Sequence, residues 1–153
     1  MKSLDCEFAI IGGGVAGLSM GISLNALGKD FLIFEQASEL RGIGAGFGLA
    51  ANAMRAFDYL GLREEAEQIG FYTETYNILD DKGRILIAPD TARLGTQYQQ
   101  KNLTVHRADL HTFLQSKIKD EQILLGKRIL RYEQQQESIQ LFFADGSSYS
   151  CRY

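Results

Sequence analysis

Hydrophobic residues fall along this chain in short blocks punctuated by glycine. Residues 7–11 (EFAII) form an apolar run of the kind that makes a buried parallel strand. Gly12-Gly13-Gly14 follows at once. From Val15 onward Leu18, Ile22 and Ala26 recur at helical spacing, and Gly28 is placed to stop that helix. Residues 30–35 (DFLIFE) form a second apolar strand that ends in an acid. The order is therefore strand, glycine turn, helix, strand, acid. Residues 42–48 (GIGAGFG) read as a flexible glycine-rich loop. A helix is predicted over 52–60, with Ala53, Met54, Phe57 and Leu60 on one side and Gly61 at its end. A shorter helix follows over 62–69.

From Phe71 the pattern changes to alternation. Strands over 72–79 and 84–88 flank an Asp/Gly turn at 80–83, which predicts a hairpin. Residues 91–102 are polar and read as a loop. A strand over 103–107 leads to Asp109, placed to cap a helix over 110–118 whose apolar face is Leu110, Phe113, Leu114 and Ile118. A strand begins near 122–125. Three more strands, over 128–134, 138–143 and 147–151, are joined by turns at Gln134–Gln136 and Asp145-Gly146 and predict a β-meander. Helices alternating with strands place the chain in the α/β class.

Composition changes this picture little. The 153 residues suffice for one sizeable core, and 45% hydrophobic with 23% charged residues is ordinary for a globular chain. The net charge of −3 and the lack of a basic stripe argue against nucleic acid as a partner. No apolar run approaches the ~20 residues of a membrane span. The start, Met1-Lys2-Ser3-Leu4-Asp5, is too short and too soon acidic for a secretory signal, so a cytoplasmic protein is expected. Cys6 and Cys151 have neither metal spacing nor a CxxC pattern. Cys6 reads as a small buried hydrophobe, and a disulfide between the two is not expected in a reducing compartment. His106 and His111, the only histidines, read as structural or exposed, and no metal site is expected. No side chain stands out as a catalytic acid, base or nucleophile.

The chemistry lies in the glycine turn. Gly12 allows the chain to leave the strand sharply, Gly14 lets a pyrophosphate reach the backbone, and Gly17 lets the helix pack close to the strands. Val15 and Ala16 open the helix, where free N–H groups and the positive dipole end suit a phosphate. Glu35 is placed to accept a hydrogen bond from a ribose 2′-OH and would repel a 2′-phosphate, which favours FAD or NAD over NADP. The competing readings are a glycine turn that binds nothing and a solvated strand-end acid.

Three segments carry a resemblance to a family: FAIIGGGVAGLSMGISLNALGKDFLIFEQ, ELRGIGAGFGLAANAMRAFDYLGL and TVHRADLHTFL. In content, order and spacing they resemble the class A FAD-dependent aromatic hydroxylases and monooxygenases, which include salicylate-hydroxylase-like and zeaxanthin-epoxidase-like enzymes. The resemblance implies a three-layer, Rossmann-like FAD-binding domain with a partial parallel sheet, a β-meander and an inserted hairpin at 71–90 that belongs to the substrate-side sheet. It implies FAD as cofactor, NAD(P)H as transient electron donor, and a small aromatic or polyprenyl-like substrate. Arg41 then corresponds to an arginine on the FAD ribose and phosphates, and Arg107 to one on the ribityl or phosphate region. A surface charge or salt bridge is the competing reading of each. Ile129 corresponds to a position whose backbone meets the adenine, and reads equally well as core. Tyr72 and Tyr76 read either as one wall of a substrate site or as sheet packing.

The family continues beyond the position of Tyr153 into a strand, a GADG-like segment and a later Gly-Asp motif. Residues 1–153 are therefore expected to be the N-terminal portion of the FAD-binding domain, without the C-terminal half. Alone they are expected to bind FAD weakly and not to turn over, and exposed sheet edges make self-association plausible. The alternatives are a non-catalytic dinucleotide-binding remnant and another FAD oxidoreductase of the same superfamily.

Overall fold

The computed structural model describes residues 4–40 and 44–153. In chain order the elements are β1 (Phe8–Ile11), α1 (Val15–Ala26), β2 (Phe31–Phe34), β3 (Gly46–Leu49), α2 (Ala51–Tyr59), α3 (Arg63–Gln68), β4 (Gly70–Thr73), β5 (Ile78–Leu79), β6 (Ile85–Ile87), α4 (Thr91–Tyr98), β7 (Asn102–His106), α5 (Arg107–Gln115), β8 (Ile123–Leu124), β9 (Ile129–Gln134), β10 (Ile139–Phe143) and β11 (Ser148–Cys151). The fold is α/β with parallel and antiparallel sheets. It divides into two compact units: residues 1–42 with 111–153, and residues 43–110.

The first unit holds the predicted strand–helix–strand. β1 and β2 pair in parallel, Phe8 with Phe31 through Ile11 with Phe34, and β8 adds to the far side of β2. Phe31, Ile33 and Phe34 are buried, as are Leu18, Ile22 and Leu24 of α1. Burial on both faces explains why β2 is an unbroken apolar run rather than an alternating one. β9, β10 and β11 form the predicted antiparallel meander. Phe143 stacks on Phe34 at 4.8 Å between ring centroids, and Tyr149 meets Phe34 edge-on at 5.0 Å. The chain after β11 then runs beside β1: Ala9 N–H donates to Tyr153 O at 2.8 Å, and Arg152 N–H to Glu7 O at 3.0 Å. Cys6 and Cys151 are neighbours across an isolated parallel bridge, both buried and both free thiols. Burial, with Cys151 alongside, pushes the Cys6 thiol up to about 12, which keeps it protonated and unreactive.

In the second unit β7 is the centre of an antiparallel sheet, with β3 on one side and β4 on the other. Its inward residues Leu103 and Val105 are buried, together with Met54 and Phe57 of α2 and Ala66 of α3. β5 and β6 form a separate hairpin. Asp80 organises its turn, accepting from the N–H groups of Lys82 and Arg84.

Four expectations are corrected. Residues 46–48, at the end of the loop expected over 42–48, belong to strand β3, because β7 supplies hydrogen-bonding partners that glycines do not advertise. Residues 91–98 are helix α4, capped by the Asp90 side chain accepting from Arg93 N–H at 2.9 Å. The strand expected over 72–79 breaks after Thr73: β4 pairs with β7, whereas Ile78 and Leu79 pair with β6. α5 starts at Arg107, not after Asp109, which lies in its first turn. Among the described residues no helix is long and apolar enough to cross a membrane.

Candidate cofactor-binding site

The site is a turn between β1 and α1. Gly12 takes φ +106°, a conformation open to glycine, and its N–H donates to Phe34 O at 2.8 Å. Gly17 is demanded by close packing: a Cβ there would sit 1.9 Å from Gly12 O. Gly14 differs. It is the N-cap of α1 in extended conformation, makes no side-chain cap, and has nothing within 4 Å of where a Cβ would begin. The opening N–H groups of a helix have no acceptor within the helix. Val15 and Ala16 are the first two residues of α1, so their amides belong to this set. An uncapped, dipole-positive helix end beside an empty Gly14 fits a diphosphate.

Glu35 follows β2. One carboxylate oxygen accepts from Gly13 N–H at 2.7 Å and the other from Ala37 N–H at 2.8 Å. The acid thus ties the turn to the end of β2. A carboxylate has about four lone-pair sites, so two remain for a ribose hydroxyl. On the opposite side of the same glycine, Nε2 of buried His111 lies 2.8 Å from Gly13 O. His111 was not among the residues expected here. Its partner stands 98 residues away in sequence, and no local pattern marks it.

The structure therefore brings Gly12, Gly14, Val15, Ala16, Gly17 and Glu35 together in the first unit. Ile129, also in that unit, pairs with Phe143 and packs against the core cluster of Cys6, Phe34, Leu141, Phe143 and Cys151. Arg107 stands in the second unit, exposed at the start of α5, with its N–H donating to Ala45 O at 3.1 Å. Gly44, at φ +138°, lies against the Arg107 side chain, where a Cβ would come within 3.0 Å of Cδ. Arg41 lies outside the described residues. Among the described residues no cluster of His, Cys, Asp or Glu could hold a metal.

The second unit also carries two open cavities. One, of about 690 Å³, includes Arg63, Glu67 and Tyr72 in its wall. Burial and a hydrogen bond with Glu67 push the Tyr72 phenol up to about 12. The other, of about 580 Å³, is mainly apolar and lined by Leu49, Tyr76, Pro89, Leu94 and Leu103 among others. The two tyrosines thus face different cavities.

Comparison with known proteins agrees with the turn. The family described as "FAD binding domain" matches residues 5–144. The 3-amino-4-hydroxybenzoate 2-monooxygenase of Streptomyces cremeus is 32% identical over 149 residues, covering 96% of this chain and 38% of that protein. The 3-hydroxybenzoate 6-hydroxylase of Polaromonas naphthalenivorans (strain CJ2) is 29% identical over 150 residues, covering 95% and 38%. Among solved structures, Klebsiella pneumoniae HpxO complexed with FAD and uric acid aligns with a TM-score of 0.78 at 26% identity, covering 93% of this chain and 36% of that one. The chain thus spans less than two-fifths of the length of these relatives. A match over residues 5–144 includes the whole strand–turn–helix–strand–acid unit and reaches through β10, and the chain belongs to the FAD binding domain family, among the class A FAD-dependent aromatic hydroxylases and monooxygenases.

Proposed function

We propose that this chain is the FAD-binding portion of a flavin-dependent monooxygenase, and that residues 12–17 with Glu35 hold the ADP half of the cofactor. The observation that carries this reading is the empty space at Gly14 beside the uncapped start of α1. The helix amides bind the diphosphate, and the remaining lone pairs of Glu35 orient the ribose hydroxyls. The family resemblance assigns Arg41 and Arg107 to the phosphate and ribityl region, and a guanidinium matches phosphate geometry. By the family resemblance, the backbone at Ile129 would meet the adenine. Bound FAD supplies the redox chemistry and activates oxygen, with NAD(P)H as electron donor.

The substrate is a small aromatic or polyprenyl-like molecule. Several relatives are named for small aromatic acids, including 6-hydroxynicotinate 3-monooxygenase of Bordetella bronchiseptica. The apolar cavity at Tyr76 is suited to one wall of such a site, with 71–90 contributing to the substrate-side sheet of a domain that residues 1–153 begin. The expected setting is the cytoplasm.

The test is a titration of the purified chain with FAD, followed by flavin fluorescence and thermal shift, with NAD as control. At a hundredfold excess over Kd, binding adds about 2.7 kcal/mol. In a chain this size that raises Tm by roughly 5–11 °C. Gly14→Val, whose Cβ has no protein atom within 4 Å, is expected to abolish the FAD response while the chain stays folded. No response to FAD, or an equal response to NAD, would overturn the reading.

A further inference from the structure

We propose that His111 is a positioning residue of the dinucleotide turn: by holding the Gly13 carbonyl it aims the Gly14 N–H at the cofactor diphosphate. The inference rests on the FAD reading above and adds a residue to it.

The geometry is specific. His111 is 8% exposed and sits in α5 with Nε2 at 2.8 Å from Gly13 O. A carbonyl oxygen only accepts, so Nε2 carries the proton and the imidazole is the donor. The Gly13 carbonyl and the Gly14 N–H belong to one planar peptide. That peptide is trans, since no cis bond occurs among the described residues. In a trans peptide the two groups point in opposite directions. Fixing the carbonyl toward His111 therefore fixes the Gly14 N–H away from it.

Why a clamp is needed follows from the glycines themselves. Gly12, Gly13 and Gly14 leave room for a phosphate, but three consecutive glycines also let their peptide planes rotate at little steric cost. A rotated Gly13–Gly14 plane would present a carbonyl oxygen where the diphosphate needs a donor. Two side chains oppose this. Glu35 accepts from Gly13 N–H at 2.7 Å and sets the plane before it. His111 donates to Gly13 O and sets the plane after it. The helix is thus presented to the ligand with its first donors already directed, which lowers the ordering cost of binding.

The test uses two variants of similar polarity and different reach. In His111→Gln the amide nitrogen takes the place of Nε2; in His111→Asn it reaches only as far as Nδ1. FAD affinity is read by flavin fluorescence. The Gly14 amide resonance of the nucleotide-free chain is read by ¹⁵N-edited NMR, and the unliganded Tm monitors folding. His111→Gln is expected to bind FAD within about threefold of the original chain, and His111→Asn about tenfold more weakly, the scale of one lost hydrogen bond with its partner left buried. The Gly14 resonance should move in His111→Asn and be retained in His111→Gln. Equal FAD affinity of His111→Asn and the original chain, or a Gly14 resonance indifferent to both variants, would overturn this inference alone. Absence of FAD binding by the original chain would overturn the cofactor reading and this inference with it.

Discussion

Gly14 and Gly17 belong to one motif, yet different neighbours demand them. Gly17 faces the Gly12 carbonyl, 1.9 Å from where a Cβ would sit, so Gly17→Ala must push α1 off the turn. Overpacking of this kind costs about 1–3 kcal/mol, or a Tm loss of roughly 2–12 °C in a chain of this size. Gly14 faces open space in an extended conformation that alanine also adopts. Gly14→Ala is expected to shift the unliganded Tm by less than about 4 °C while weakening FAD. Calorimetry with and without FAD separates the two, and equal losses of unliganded stability would contradict the distinction. The packing role of Gly17 is legible in the sequence because it acts on a backbone atom only five residues away. His111 was not legible as a partner of the turn, since nothing near it in sequence records what α5 brings it against. Glu35 was expected at a ribose, but the structure first shows it holding Gly13 and Ala37.

Legibility at the scale of elements follows where each element finds its partners. α1, β2 and β10 bury residues of their own apolar pattern, β1 lies half-buried beside β2, and all appear close to where the sequence places them. β3 is Gly46-Phe47-Gly48-Leu49, a composition depleted in strands, and it is extended because β7 pairs with all four residues. α4 buries no residue and contains Gly95, so it has no apolar stripe to reveal it; its cap at Asp90 is the local cause. In the meander, Lys127 Nζ meets Asp145 at 2.6 Å, and Ser147 donates to the same carboxylate. The Lys127 ammonium, then the Ser147 donors, hold Asp145 well below its ordinary value of 3.8. A carboxyl depressed in the folded state stabilises fully above its unfolded value and loses that contribution as pH falls through the folded one. Stability measured by urea titration should therefore fall below pH ~4 with a steeper slope than in Asp145→Asn. Identical slopes would show that the pair does nothing for the fold, the common outcome for exposed ion pairs.

For the whole molecule, the exposed hairpin matters most. Ile78, Leu79, Ile85, Leu86 and Ile87 are 39 to 63% exposed, so both faces of β5 and β6 are uncovered. Apolar two-stranded ribbons are marginal alone and invite pairing. The chain is expected to self-associate with rising concentration, and Ile85→Lys with Leu86→Lys, one on each face, to suppress this. Sedimentation velocity over a concentration series decides it, and a variant that associates as strongly as the original would clear the hairpin. The discontinuous first unit has a consequence of another kind, in the timing of synthesis. Residues 43–110 are contiguous and hold all partners of their own sheet, so that unit can fold as soon as it leaves the ribosome. β1 and β2 emerge earlier but must wait for β8, and Cys6 and Ala9 wait for Cys151 and Tyr153. At about 5–20 residues per second the remaining 43 residues take roughly 2–9 s. The nucleotide turn, made before its later partners, is thus among the last parts of this unit to be held in shape.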